Sequence, residues 1–210
     1  MNSFEIILDI LYRVMEEGAY ASLLLRDIDD RDDIGFISHV VYGTLRNERY
    51  LYEQWKTYAK KVSTRNQCLL DMSVYQLFFL DSIQDYTVVN EAVKLVSDHD
   101  KGFINAVLRN VIREGKKDFE DVAIQTSHPD WIMNLWKAQY GEEIAEKIAK
   151  ANIEIPTVYG RIADYHLTKD DFKDEPFTFI DDRIYPMCAE AIIFKISPKY
   201  TMSPFPSVIV

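Results

Sequence analysis

Glycine and proline are scarce in this 210-residue chain, at seven residues each. So few turn formers suit long helices better than a sandwich of many short strands. The glycines, at positions 18, 35, 43, 102, 115, 141 and 160, never come closer together than eight residues. A dinucleotide or S-adenosylmethionine site on a doubly wound sheet needs clustered glycines after a strand, and so does a phosphate-binding loop. Both are excluded on that spacing. Only two cysteines occur, Cys68 and Cys188, with no CxxC pair and no cysteine–histidine cluster. Neither a disulfide framework nor a zinc site is expected, and a reduced, cytoplasmic setting follows as the default. The four histidines, 39, 99, 128 and 166, are dispersed and offer no metal-ligand spacing, and no serine stands in a GxSxG turn. Cys68 lies in the apolar run NQCLLDM and reads as a core residue, and Cys188 in PMCAEA has no histidine near it. The N-terminal stretch is interrupted by Glu5, Asp9, Arg13 and Glu16, so it reads neither as a signal peptide nor as a membrane span.

Apolar residues make up 48% of the chain and aromatics 13%, enough for a sizeable core and too much for disorder. The net charge of −10 argues against nucleic acid, because lysine and arginine drive phosphate binding. The charge is uneven, however. Between Ser38 and Lys117 basic residues outnumber acidic ones by three, whereas the rest of the chain has an acidic excess of 13. A local basic face can survive a global negative charge, although long-range steering is then weak.

Apolar spacing predicts amphipathic helices over Ser3–Glu17 and Ala19–Ile28. It continues from Ile34 to Tyr58, then over Thr64–Leu80, Val88–Ser97, Phe103–Arg113, Trp131–Gln139 and Glu142–Asn152. Asp32 or Asp33 is placed to cap the third of these. Gly43, inside it, costs about 1 kcal/mol relative to alanine. Close helix packing there, or a break near Arg46–Asn47, would explain its presence. Asp98–Lys101 reads as a turn. After Pro156 the pattern changes, with strands expected over Thr157–Ile162 and Thr178–Ile184 and no clear period near the end. The expected division is therefore a helical domain over 1–155 and a short irregular or α+β appendage over 156–210.

Three patterns then carry a resemblance: Val41-Tyr42-Gly43-Thr44-Leu45-Arg46-Asn47; Val89-Asn90-Glu91-Ala92-Val93 followed by Gly102-Phe103-Ile104-Asn105-Ala106-Val107-Leu108-Arg109; and His128-Pro129-Asp130-Trp131 with Tyr140-Gly141-Glu142. In this order they resemble the N-terminal part of the Sun/Fmu/RsmB family of bacterial small-subunit rRNA cytosine-5 methyltransferases, whose N-terminal domain is related to the antitermination factor NusB. The third pattern, with Arg161-Ile162 beyond it, fits the methyltransferases better than NusB. The family's Arg-x-Asn has Ala163 in its last place here. The resemblance implies an all-α, NusB-like helical bundle that binds RNA, and rRNA above all. The family's cofactor loop and catalytic cysteine motifs would lie beyond residue 210, so no catalytic residue is expected on this chain. S-adenosylmethionine is implied only for a full-length member. The competing readings are a protein adaptor that meets a ribosomal or transcription protein, and a piece of the whole methyltransferase.

Two basic groups are the RNA-binding candidates. The first is Arg46, Arg49, Lys56, Lys60, Lys61 and Arg65, which could equally be a solvated helix face paired with Glu48 and Glu53. The second is Lys101, Arg109 and Arg113, continued by Lys116 and Lys117. Arg109 and Arg113 share a helix face, although Arg109 could instead pair with Glu91. Asn90 and Asn105 read rather as residues that cap or cross-link helices than as base readers. Tyr42, Tyr50 and Tyr52 could stack on bases, and His128-Pro129 reads as structural.

Overall fold

A computed structural model describes residues 2–28, 33–59, 61–154, 158–161, 177–180 and 193–196. By contacts the chain divides into two compact units, Met1–Glu154 and Ile155–Val210.

Among its described residues the first unit contains ten α-helices. They are α1 (Ser3–Glu17), α2 (Ala21–Arg26), α3 (Ile34–Arg46), α4 (Glu48–Trp55), α5 (Thr64–Phe79), α6 (Asp85–Lys94), α7 (Asp98–Glu114), α8 (Val122–Gln125), α9 (Asp130–Tyr140) and α10 (Glu142–Ile153), with a 3-10 turn over Lys56–Tyr58 after α4. The expected all-α class is what this unit shows. Helix α1 begins on the side chain of Asn2, which accepts from the Phe4 amide, and ends on Gly18 in the left-handed conformation.

Helix α5 is the centre of the bundle and packs on α1, α3, α4, α6 and α7. Nine consecutive residues, Cys68 to Gln76, are buried on it, so this helix has no solvent face to make it amphipathic. The core around it collects Ile7, Leu8 and Leu11 of α1, Ile37, Val40 and Val41 of α3, Leu51 and Trp55 of α4, and Ile104, Leu108 and Val111 of α7. A smaller cluster, Ala123, Met133 and Ala149, holds α8, α9 and α10 together.

Both explanations entertained for Gly43 hold. The helix breaks at Asn47, whose side-chain amide donates to the Gly43 carbonyl at 2.8 Å. Gly43 itself faces the Tyr75 ring so closely that a Cβ would fall 2.0 Å from Cζ. The first turns of α6 and α7 lie outside the stretches expected from apolar spacing. Asp98–Lys101 is the opening turn of α7, where Asp98 and Asp100 complement the helix dipole. Helix α8 was not expected either. Asp33 is the residue before α3, yet its side chain makes no capping bond and instead accepts from the Ser3 hydroxyl.

The described residues of the second unit form a three-stranded antiparallel sheet in the order β1 (Val158–Arg161), β3 (Ile193–Ile196), β2 (Phe177–Ile180). Val158 and Phe177 both pair with Ile196, and Arg161 and Ile180 with Ile193. The first two strands overlap the predicted ones, and the third was not anticipated. Cys188, His166, Ala163 and the last residues lie outside the described residues.

Candidate nucleic-acid interface

Of the first basic group, Arg49 is engaged in holding the bundle together. Arg49, near the start of α4, donates through Nη1 to the His128 carbonyl at 2.6 Å and to Asp130 Oδ1 at 2.7 Å. Its own amide donates to Ser127 Oγ at 2.9 Å. Asn47, before α4, makes no side-chain cap, so Ser127 supplies from a distant segment the acceptor that the first turn of a helix lacks. Ser127 has φ 56°, a left-handed conformation that costs a non-glycine residue about 1 kcal/mol. Next to it, the His128 amide donates to the Ala123 carbonyl at 2.8 Å, and its ring lies edge-on to Trp136. Burial holds the His128 imidazole below its usual pKa. His128-Pro129 is thus structural, as its sequence suggests. Arg49→Ala is expected to destabilise the domain by about 1–3 kcal/mol, since it strips partners from the His128 carbonyl and Asp130. Thermal unfolding followed by helicity checks this.

The others of that group are dispersed. Arg46, at the end of α3, is half-buried. Lys56 pairs with Glu53 on its own turn, and Arg65 sits 5.9 Å over the Tyr12 ring. Lys61 is exposed, and Lys60 lies outside the described residues. Of the tyrosines, Tyr42 and Tyr52 are exposed, while Tyr50 is buried and donates to the Lys117 carbonyl. Gln54 clasps the same residue, donating to the Lys117 carbonyl at 2.7 Å and accepting its amide at 2.9 Å. Lys116 lies 4.4 Å over the Phe79 ring, and Lys117 bonds Glu114 and the Tyr58 hydroxyl. These two lysines serve the packing of the segment after α7.

The second group forms a strip. Lys101, Asn105, Arg109 and Arg113 follow one another at intervals of four along α7, so they share one face. Tyr86, Asn90 and Lys94 do the same along α6, which packs against α7. Between them lies a groove of about 600 Å³ lined by Tyr86, Asn90, Glu91, Lys94, Lys101 and Asn105 among others. Arg109 does not pair with Glu91: its Nε donates to Asn105 Oδ1 at 3.0 Å. Glu91 is taken by Lys94 and by the Asn2 amide. Lys101 pairs with Asp98 one turn back. Asn90 and Asn105 cap neither helix, because Gln84 and Ser97 precede them at the two starts. Sequence reading left out Tyr86 and Lys94. Their spacing of four on either side of Asn90 is the signal that finds them.

A second cavity, of about 500 Å³, lies among α8, α9 and α10 and is acidic, with Glu120, Asp121, Asp130, Glu142 and Glu146 around Lys137. Among the described residues no set of three metal-ligating side chains converges. The described glycines stand singly, none within seven residues of another, so these residues do not fit the glycine-rich cradle that S-adenosylmethionine requires.

A helical bundle around one buried central helix, with a polar groove between its sixth and seventh helices, defines a helical binding domain. The sequence profile of the NusB family matches residues 1–113, more than half of the chain, and this chain belongs to that family. The match takes in α1 to α6 and all but the last residue of α7. The probable ribosomal RNA small subunit methyltransferase B of Bacillus subtilis is 33% identical over 172 residues, covering 72% of this chain and 38% of that protein. The corresponding protein of Pseudomonas putida is 30% identical, covering 70% of this chain and 36% of its own length. The transcription antitermination protein NusB of Bacillus licheniformis is 28% identical over 102 residues, covering 44% of this chain and 76% of that protein. This chain therefore spans less than two-fifths of the two methyltransferases. The crystal structure of PH0851 shares the fold at a TM-score of 0.59 and 11% identity, over 97% of this chain and 51% of that one. No helix among the described residues is long and apolar enough to cross a membrane.

Proposed function

We propose that this chain is a cytoplasmic RNA-binding module that recognises structured rRNA for a methyltransferase-type protein and has no catalytic residues of its own. The observation that carries the reading is the α7 strip of Lys101, Arg109 and Arg113, which sets three cations along one helix face beside a polar groove. Arginine suits phosphate through its planar fork, and a row of such contacts fixes register on an RNA backbone. Membership of a family whose relatives include rRNA methyltransferases and antitermination proteins supports RNA as the ligand. Arg46, Lys56, Lys60, Lys61 and Arg65 are assigned outlying phosphate contacts, and Arg49 chiefly a structural duty.

The test is a titration of the full chain against rRNA fragments over a salt series. Binding should be strongest at low salt and fall with a slope of roughly 0.7–0.9 per phosphate contact. The triple variant Lys101→Glu, Arg109→Glu, Arg113→Glu should lose most of the affinity and flatten that slope while keeping its helicity. Binding that is absent at low salt, or untouched in the folded triple variant, removes the reading.

A protein-adaptor reading has one observation of its own. Trp131, Leu135, Tyr140 and Ile144 are large apolar residues exposed on α9 and α10. A wild-type protein without RNA affinity at low salt would turn the assignment toward it.

A further inference from the structure

Phosphate binding is driven by cations, and the α6–α7 groove offers more than cations. Tyr86 stands at its edge with 65% of its surface exposed. The Asn90 side chain is exposed and has no hydrogen-bond partner among the described residues. Asn105 uses only its Oδ1, on Arg109, which leaves its amide N–H groups for another acceptor. A neutral amide and a tyrosine hydroxyl can each donate to a phosphate oxygen, but neither carries the charge that drives backbone binding. An amide presents one donor beside one acceptor, which matches the edge of a base, and an aromatic ring matches its face. A base paired inside an RNA helix offers neither, because its edge is used and its faces are stacked.

We infer that the α6–α7 groove is a pocket for one unpaired RNA base, which stacks on Tyr86 and is read at its edge by Asn90 and Asn105. Lys94, Lys101 and Arg109 take the flanking phosphates. The Glu91 carboxylate on the groove wall is neutralised by Lys94 and bonded by Asn2, so it does not repel the strand. This rests on the RNA-binding reading and narrows its ligand to a loop, bulge or single strand.

The experiment uses the full chain and one mixed-sequence RNA of about 16 nucleotides, alone and annealed to its complement, at low salt. The single strand should bind about tenfold more tightly than the duplex. Tyr86→Ala and Asn90→Ala alter exposed side chains and keep the helicity. Each should weaken single-strand binding about tenfold and leave duplex binding unchanged. Lys101→Glu with Arg109→Glu should weaken both. If the two groove variants bind the single strand like the wild type while the charge reversal weakens it, RNA binding stands and the base pocket falls. A duplex that binds as tightly as the single strand also overturns the pocket. A wild type that binds neither form overturns the RNA reading itself, and the pocket with it.

Discussion

Gly43→Ala destabilises the helical unit by about 3 kcal/mol, an expectation of opposite sign to the usual effect of this change. Within a helix, alanine ordinarily gains about 1 kcal/mol over glycine. Here a Cβ on residue 43 would lie 2.0, 2.2 and 2.5 Å from Cζ, Oη and Cε2 of Tyr75. The ring cannot swing away at low cost. Tyr75 is buried, it stacks on Phe79 with ring centroids 5.0 Å apart, and its hydroxyl lies 3.2 Å from His39 Nε2. Making room breaks the stack and the hydroxyl contact together. Urea unfolding followed by far-ultraviolet circular dichroism reads the helical unit and should show a lowered midpoint for Gly43→Ala. Tyr75→Leu shortens the colliding side chain, so the double variant should lose less than the two single losses added together. A Gly43→Ala protein as stable as the wild type would remove the close approach of α3 and α5 from the account.

Gly43 also shows what one sequence can and cannot disclose. A glycine in an apolar helical run is conspicuous, and close packing is the natural inference from it. Its partner, 32 positions away, carries no matching mark. Helix α1 was legible from its apolar period, and in the structure Asn2 caps its start and Gly18 its end, so the local signals agree. The starts of α6 and α7 were not. Their first turns hold Asp85, Tyr86 and Asp98 to Lys101, polar or exposed residues that carry no apolar period, so the helical signal there is electrostatic alone. Helix α8 has four residues, too few for any period to register. The apolar run over 34–58 holds two helices, divided near Arg46–Asn47 as its glycine suggested, where Asn47 turns its amide back onto Gly43.

The candidate site was half legible for the same kind of reason. Arg109 and Arg113 belong together by simple spacing, and the structure keeps them on one strip. Arg49 looked equivalent to Arg46 in sequence, because nothing local announces a partner some 80 residues away at His128 and Asp130. The groove needed two helices to be laid side by side before Tyr86, Asn90 and Lys94 of one could be read with Lys101 and Asn105 of the other.

Asp71→Asn should abolish most of a loss of stability that the wild type suffers as pH rises. Asp71 lies on α5 with 1% of its surface exposed. Its Oδ1 accepts from Trp55 Nε1 at 2.7 Å, and its Oδ2 has no hydrogen-bond partner among the described residues. Burial pushes the carboxyl up to about 8, against the Trp55 hydrogen bond and with the Glu48 charge adding to it. The folded protein therefore holds a proton on Asp71 over a range where the unfolded chain, near its ordinary value of 3.8, has lost it. Stability from this group is complete below about pH 4 and falls by up to about 1.4 kcal/mol per pH unit until the folded value is passed. The exposed carboxylates act elsewhere: Lys101 lowers Asp98 and Lys137 lowers Glu142, so their contributions fade only toward acid. His128, depressed by burial, works in the opposite sense at intermediate pH, and Glu48, raised by burial, works in the same sense as Asp71. His128 is common to the two proteins and cancels in the comparison, and Glu48 cancels except for the part that depends on the Asp71 charge. Asparagine keeps the acceptor for Trp55 and nearly the same volume while it removes the titration. Between pH 5 and pH 8 the wild type should lose on the order of 3 kcal/mol more than Asp71→Asn in urea unfolding. Parallel pH profiles would mean that Asp71 is ionised in the folded protein, and that water or a partner reaches Oδ2.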